Sequence, residues 1–160
     1  MDCTSLNNRP VCPEDETFIF HLFASKWIEH LANWDWNLEK KEKFLRLQFQ
    51  AQQHSYQTQF PNREHRIVLK ANKPIGSILI INNADHICLA DIDLLPCHRN
   101  QGIGTLLIQN LLTEAANSRK SVYLQVEKLN PAIQLYKRLG FMETEDTGTH
   151  FVMEWRSCEL

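Results

Sequence analysis

What this 160-residue chain lacks narrows its chemistry before any motif is read. Its five cysteines, Cys3, Cys12, Cys88, Cys97 and Cys158, are odd in number, irregularly spaced and form no CxxC. Neither a disulfide framework nor a zinc ribbon is written into such a set, and reduced thiols in a cytoplasmic protein are the expectation. The adjacent pair Cys97-His98 has no second pair to complete four ligands, so no metal site is expected. Long apolar runs are missing too. The longest aliphatic stretch, Ile78-Leu79-Ile80-Ile81, falls far short of the roughly 20 residues that span a bilayer. Met1-Asp2-Cys3-Thr4 carries neither the basic nor the apolar region of a secretory signal, and no membrane partner is expected. Charge of one sign is not in excess either. Seventeen Lys and Arg against nineteen Asp and Glu leave a net charge of −2. Nucleic-acid binders normally carry a basic surplus, so a nucleic-acid partner is disfavoured.

What is present is ordinary for one folded domain. Apolar residues make up 43% and charged residues 22%, a balance that argues against disorder. No repeat, low-complexity tract or linker divides residues 1–160, which read as a single domain. The first third reads as helical. Pro13-Glu14-Asp15-Glu16 suits a helix start, and Ile19, Phe23 and Trp27, with Phe18 and Leu22 beside them, give one apolar face. A second helix starts with Asn37 as N-cap, runs to about Tyr56 and is ended by Pro61. Residues 65–71, 74–81 and 86–95 then read as strands joined by short turns, hence antiparallel, with Gly76 marking a bulge. A helix over residues 102–118 follows, then a strand over 121–127 in which Val122, Leu124 and Val126 alternate with polar residues. Asn130 as N-cap and Pro131 open a short helix that Gly140 closes. Residues 141–147 and 149–155 form a last strand pair around Gly148. The fold class is α/β: a central mixed, mostly antiparallel sheet with helices on both faces.

Glycine is scarce, yet two of the five fall in Arg99-Asn100-Gln101-Gly102-Ile103-Gly104, between a strand and a helix. Backbone N–H groups at such a junction, with no Cβ in the way, attract anions and phosphate above all. Two nucleotide motifs fail on named residues. Gly104-Thr105 lacks the lysine of a Walker loop, and Leu107 stands where a Rossmann fingerprint has its third glycine.

On these residues the sequence resembles the GCN5-related N-acetyltransferase (GNAT) family, whose acyl-CoA motif Arg/Gln-x-x-Gly-x-Gly/Ala is matched from Arg99 to Gly104. The family's second signature, an Asn, a short helix carrying a Tyr, and a terminal Leu-Gly-Phe, is matched by Asn130, Tyr136 and Leu139-Gly140-Phe141. The resemblance covers residues 85–155. It implies acetyl-CoA as co-substrate, no metal, and transfer of an acetyl group to a primary amine by direct attack on the thioester. By the same resemblance the loop of Arg99, Asn100, Gln101, Gly102, Ile103, Gly104 and Thr105 holds the pyrophosphate. Ile92 and Leu94 lie where the family pairs backbone with the pantetheine arm, and Asn130 where it contacts that arm. Tyr136 falls at the position of the acid that protonates the departing thiolate. Asn130 to Tyr136 spans six residues where many members have seven, so Leu135-Tyr136 and Leu139-Gly140-Phe141 anchor the helix phase.

The amine must lose a proton, and some members use a glutamate on the fifth strand. Gln125 occupies that position here and cannot serve. Asp91, Asp93 and Glu127 remain, and Asp91, deepest in an apolar stretch, is the expected base. Gln48, Gln52 and Tyr56, at i, i+4 and i+8 on the second helix, with Trp27, Trp34, Trp36 and His150, are the expected acceptor pocket. The acceptor itself is left open as a small-molecule or peptide amine. A homodimer is also open, because the family often dimerises through its sheet edge or C-terminal strands. The competing reading is a non-catalytic acyl-CoA-binding or interaction domain that kept the loop and lost the chemistry.

Overall fold

Helix and strand signals in the sequence find their elements, and one strand is added ahead of them. The computed structural model describes residues 6–157; the expectations at Met1-Asp2-Cys3-Thr4 and at Cys158 lie outside the described residues. In chain order the elements are β1 (Leu6–Pro10), α1 (Glu16–Ala32), α2 (Leu38–Gln59), β2 (Arg63–Lys70), β3 (Lys73–Asn82) and β4 (His86–Leu94). They continue with α3 (Ile103–Asn117), β5 (Ser121–Glu127), α4 (Ala132–Arg138), β6 (Met142–Asp146) and β7 (His150–Trp155). The seven strands form one mixed sheet in the order β1-β2-β3-β4-β5-β7-β6. The chain divides into two compact units, Met1–Ile78 with Asp93–His98, and Leu79–Ile92 with Arg99–Leu160. No described helix is long and apolar enough to cross a membrane.

In the first unit, β1 corrects the expectation of a purely helical first third. Leu6-Asn7-Asn8-Arg9-Pro10 has no alternating apolar pattern, and β2 holds it by an antiparallel ladder from Leu6↔Lys70 to Pro10↔Arg66. A side-chain clasp completes the attachment. The Arg9 guanidinium donates to both oxygens of Asp15, at 2.8 and 2.9 Å, and the Cys12 N–H donates to the same carboxylate at 2.9 Å. Asp15 is only 7% exposed. The Arg9 hydrogen bonds first, then the Cys12 amide, hold its carboxyl well below the usual carboxylate range. Behind the clasp, Ile19, Phe20, Phe23 and Leu31 of α1 pack with Leu45 and Phe49 of α2 and Ile67 of β2. The Phe20 and Phe49 rings meet edge to face at 5.4 Å. Asn37 caps α2 as expected, its side chain accepting from the Lys40 N–H at 2.8 Å. Gly76 marks a close approach: a Cβ there would collide with the Asp93 carbonyl oxygen and come within 2.8 Å of Leu94 Cδ2.

The second unit is built on β5. Val122, Leu124 and Val126 are buried while Gln125 and Glu127 are exposed, the period-2 pattern of a strand with one face in the core. From α3, Ile103, Leu107, Ile108, Leu111 and Ala115 are buried as well. β5 pairs parallel to β4 on one side and antiparallel to β7 on the other. β6 closes the sheet against β7 with all five residues exposed.

Candidate active site

The parallel pairing of β4 and β5 begins at His86↔Ser121 and ends at Leu89↔Leu124. Both strands continue: β4 runs on to Leu94, and β5 keeps its pairing with β7 as far as Glu127↔His150. Past Leu89 and Leu124 the two strands therefore part. In the gap lies a cavity of about 310 Å3, lined by Leu89, Ala90, Asp91 and Ile92 on one side and Leu124, Gln125, Val126 and Glu127 on the other. Asn130, Tyr136 and His150 complete the wall. Among the described residues, two carboxylates line it and no Lys or Arg does.

Tyr136 reaches this cleft because of how α4 ends. Gly140 has φ +104°, a left-handed conformation that suits glycine at C′. The Phe141 N–H donates to the Tyr136 carbonyl at 3.0 Å and the Gly140 N–H to the Lys137 carbonyl at 3.1 Å. These are the two bonds of a Schellman cap, and the apolar contact that accompanies one is present between the Tyr136 and Phe141 rings, 5.8 Å apart. Leu139-Gly140-Phe141 is thus a device that fixes the helical turn carrying the tyrosine. Burial pushes the Tyr136 phenol up, and the negative charge of Asp91 adds to the rise. At the other end, α4 begins at Ala132, one residue later than a Pro131 start. Pro131, not Asn130, stands at the N-cap, and Asn130, one residue before it, accepts from the Ala132 N–H at 2.9 Å.

In the same unit, the loop before α3 turns through two left-handed residues, Asn100 at φ 60° and Gly102 at φ 80°. Gly102 is the N-cap of α3, whose first in-register bond is Leu106 N–H to the Gly102 carbonyl. The amides of Ile103, Gly104 and Thr105 precede that bond and have no partner within the helix. The Ile103 side chain is buried, so this residue presents only backbone. Arg99, Asn100 and Gln101 are exposed, and Gly104 and Thr105 half-buried. A Cβ at Gly104 would meet no described atom within 4 Å. Its absence serves no packing, although glycine in a helix costs up to about 1 kcal/mol relative to alanine. The arrangement leaves open space beside outward-facing amides, which suits an anion.

Other expected residues lie elsewhere. Leu94 is half-buried and outside the cleft lining. Asp93 pairs with Lys26, Nζ to Oδ1 at 2.7 Å, so the two aspartates of β4 have different surroundings. Trp27 and Gln52 line one cavity of about 480 Å3 in the first unit, with Phe23, Lys26, His30 and Trp34. Gln48 is exposed, and Tyr56 half-buried outside that lining. Trp34 and Trp36 stack edge to face at 5.0 Å and both meet Phe44. Among the described residues, no three of His, Cys, Asp and Glu gather as metal ligands would. What sequence reasoning missed is the cleft wall of Leu89, Ala90, Leu124 and Val126, whose place depends on where a ladder stops.

The acetyltransferase (GNAT) family model matches residues 27–141, and the chain belongs to that family. Among solved structures, the PaiA N-acetyltransferase of Thermoplasma acidophilum, in complex with coenzyme A, is 20% identical with a TM-score of 0.69, over 96% of this chain and 99% of that one. An acetyltransferase from Thermus thermophilus is 18% identical with a TM-score of 0.69, over 98% and 100%. Arabidopsis thaliana Naa50, in complex with the bisubstrate analogue CoA-Ac-MVNAL, is 15% identical with a TM-score of 0.60, over 96% and 99%. At these identities the likeness is one of fold. No curated protein matches the sequence at a significant level.

Proposed function

We propose that the protein transfers the acetyl group of acetyl-CoA to a primary amine of a small molecule or peptide. The observation that carries this reading is the parting of β4 and β5 around Tyr136 and Asp91, in the unit that also presents the Gly102–Gly104 loop. The amides of Gln101, Gly102, Ile103 and Gly104 bind the pyrophosphate, with Arg99, Asn100 and Thr105 in support. Backbone groups around Ile92 on β4, and Asn130, hold the pantetheine arm. When bound, acetyl-CoA supplies an acyl group already activated as a thioester. Tyr136 is held protonated at neutral pH by burial and by Asp91, the state from which it gives a proton to the departing sulfur. Asp91 also makes the cleft attractive to an ammonium group.

The test is calorimetric titration with acetyl-CoA of the wild type and of Gly102→Glu. Micromolar binding that is lost in the folded variant supports the reading. A folded wild type that does not bind would sink it. Binding without transfer to any amine would favour a non-catalytic acyl-CoA-binding domain, in keeping with Gln125 standing in the cleft where other members have a glutamate.

A further inference from the structure

We infer that His150 is the group that takes the proton from the acceptor amine, an inference that rests on the acetyltransferase reading. His150 enters the cleft from β7, in register opposite Glu127 of β5, and lines the same cavity as Tyr136 and Asp91. The hairpin turn holds it on two sides. The Thr147 N–H donates to the His150 carbonyl at 2.9 Å, and the His150 N–H donates to the Thr147 hydroxyl oxygen at 3.2 Å. The ring nitrogen Nδ1 lies 2.8 Å from Thr149 Oγ1. With Nδ1–H donating to that hydroxyl, the lone pair is on Nε2, and the ring is oriented by a neighbour as a working base requires.

The chemistry favours an imidazole over the carboxylate that the sequence suggested. An alkyl ammonium near pKa 10 gives its proton about 2.5 units more readily to an imidazole, near 6.5, than to a carboxylate, near 4. Asp91 is engaged with Tyr136 through its charge. The titratable groups around His150 are Asp91 from β4, Glu127 from β5 and Tyr136 from α4. Lys128 and Asp146 pair with each other beside the turn at 2.6 Å.

The protons balance as follows. The acceptor enters as an ammonium ion and gives one proton to His150 Nε2, which passes it to solvent. The freed lone pair forms the N–C bond as the C–S pair leaves on sulfur. Sulfur takes the Tyr136 proton, and the surplus proton on nitrogen restores the phenol. Amide, free thiol and one released proton are the products.

The experiment follows thiol release from acetyl-CoA against pH in wild type, His150→Gln and Asp91→Asn. Spermidine and a glycyl peptide serve as protonated amines, and hydroxylamine as a nucleophile already neutral at pH 7. His150→Gln should lose at least about tenfold in kcat/KM with the protonated amines, together with one limb of the wild-type pH profile. With hydroxylamine it should stay within about threefold of wild type, while Asp91→Asn keeps the limb. Thr149→Val, which leaves the imidazole in place, should give a smaller loss with the limb retained, and stands in if His150→Gln does not fold. A limb that survives in His150→Gln overturns the inference, as does an equal loss with hydroxylamine. Failure of the wild type to bind acetyl-CoA is a different result and removes the acetyltransferase reading itself.

Discussion

Replacing Gly104 with alanine adds one methyl group at a place where the fold and the ligand have opposite interests. Gly104 is the second residue of α3, and its missing Cβ would meet no described atom within 4 Å. The methyl therefore encounters no steric cost in the free protein. It also removes unfolded-chain freedom and improves helix propensity, a gain of about 0.5 kcal/mol at a first-turn position against about 1 in a helix interior. For a chain of this length that raises Tm by about 1–2 °C. The same methyl stands beside the amides of Ile103, Gly104 and Thr105, in the space proposed for the pyrophosphate. Acetyl-CoA binding should weaken at least about tenfold, or about 1.4 kcal/mol. The two readings are a thermal melt without ligand and a calorimetric titration with acetyl-CoA. A raised Tm with unchanged Kd would refute the reasoning, because the glycine would then be neither a packing nor a ligand requirement. A lowered Tm would refute the packing half directly.

Tyr136→Phe should cut kcat at least about tenfold while leaving the acetyl-CoA Kd within a factor of two, since it removes only the proposed proton donor; steady-state kinetics beside calorimetry checks this. Gly140→Ala should destabilise by about 1 kcal/mol or more, because alanine is strained at φ +104° and its Cβ would lie 3.1 Å from Trp155 Cδ1. That variant should also lower kcat by loosening the cap under Tyr136, measured by urea denaturation and initial rates. Asp15 has a folded-state pKa below its unfolded value, so its contribution is present above about pH 4 and is lost as pH falls through the folded value, the unfolded chain taking up the proton first. The urea midpoint should therefore drop between neutral and acid pH more steeply in wild type than in Asp15→Asn; equal slopes would remove Asp15 from the acid response.

Much of the fold was legible where a local rule sets the outcome. Asn37 caps because its short side chain reaches the Lys40 N–H, Gly140 ends α4 because it takes a left-handed φ, and β5 alternates because one face is buried. β1 was not legible, because only Leu6 among its five residues is aliphatic and long-range partners, β2 and Asp15, hold it. The loop and Tyr136 were legible as motifs, but the cleft that Tyr136 lines depends on the end of a ladder, which no local spacing encodes. The acceptor stripe shows a geometric limit. Steps of four residues drift by about 40° each on a helix of 3.6 residues per turn, so Gln48, Gln52 and Tyr56 wind around α2 and only Gln52 reaches the cavity with Trp27.

The early end of the β4–β5 ladder separates two kinds of specificity. On the proposed reading, the pantetheine arm lies where pairing stops and is held by main-chain groups, which every residue type supplies alike, so Ala90 and Ile92 are free to vary without loss of donor binding. On the same reading the amine meets side chains of the cleft, Asp91, Gln125 and Glu127 among them, while Tyr136 and His150 move protons. That division keeps the proposed donor constant while acceptor preference drifts by substitution at a few positions, which makes the cleft a natural target for directed evolution toward new amines.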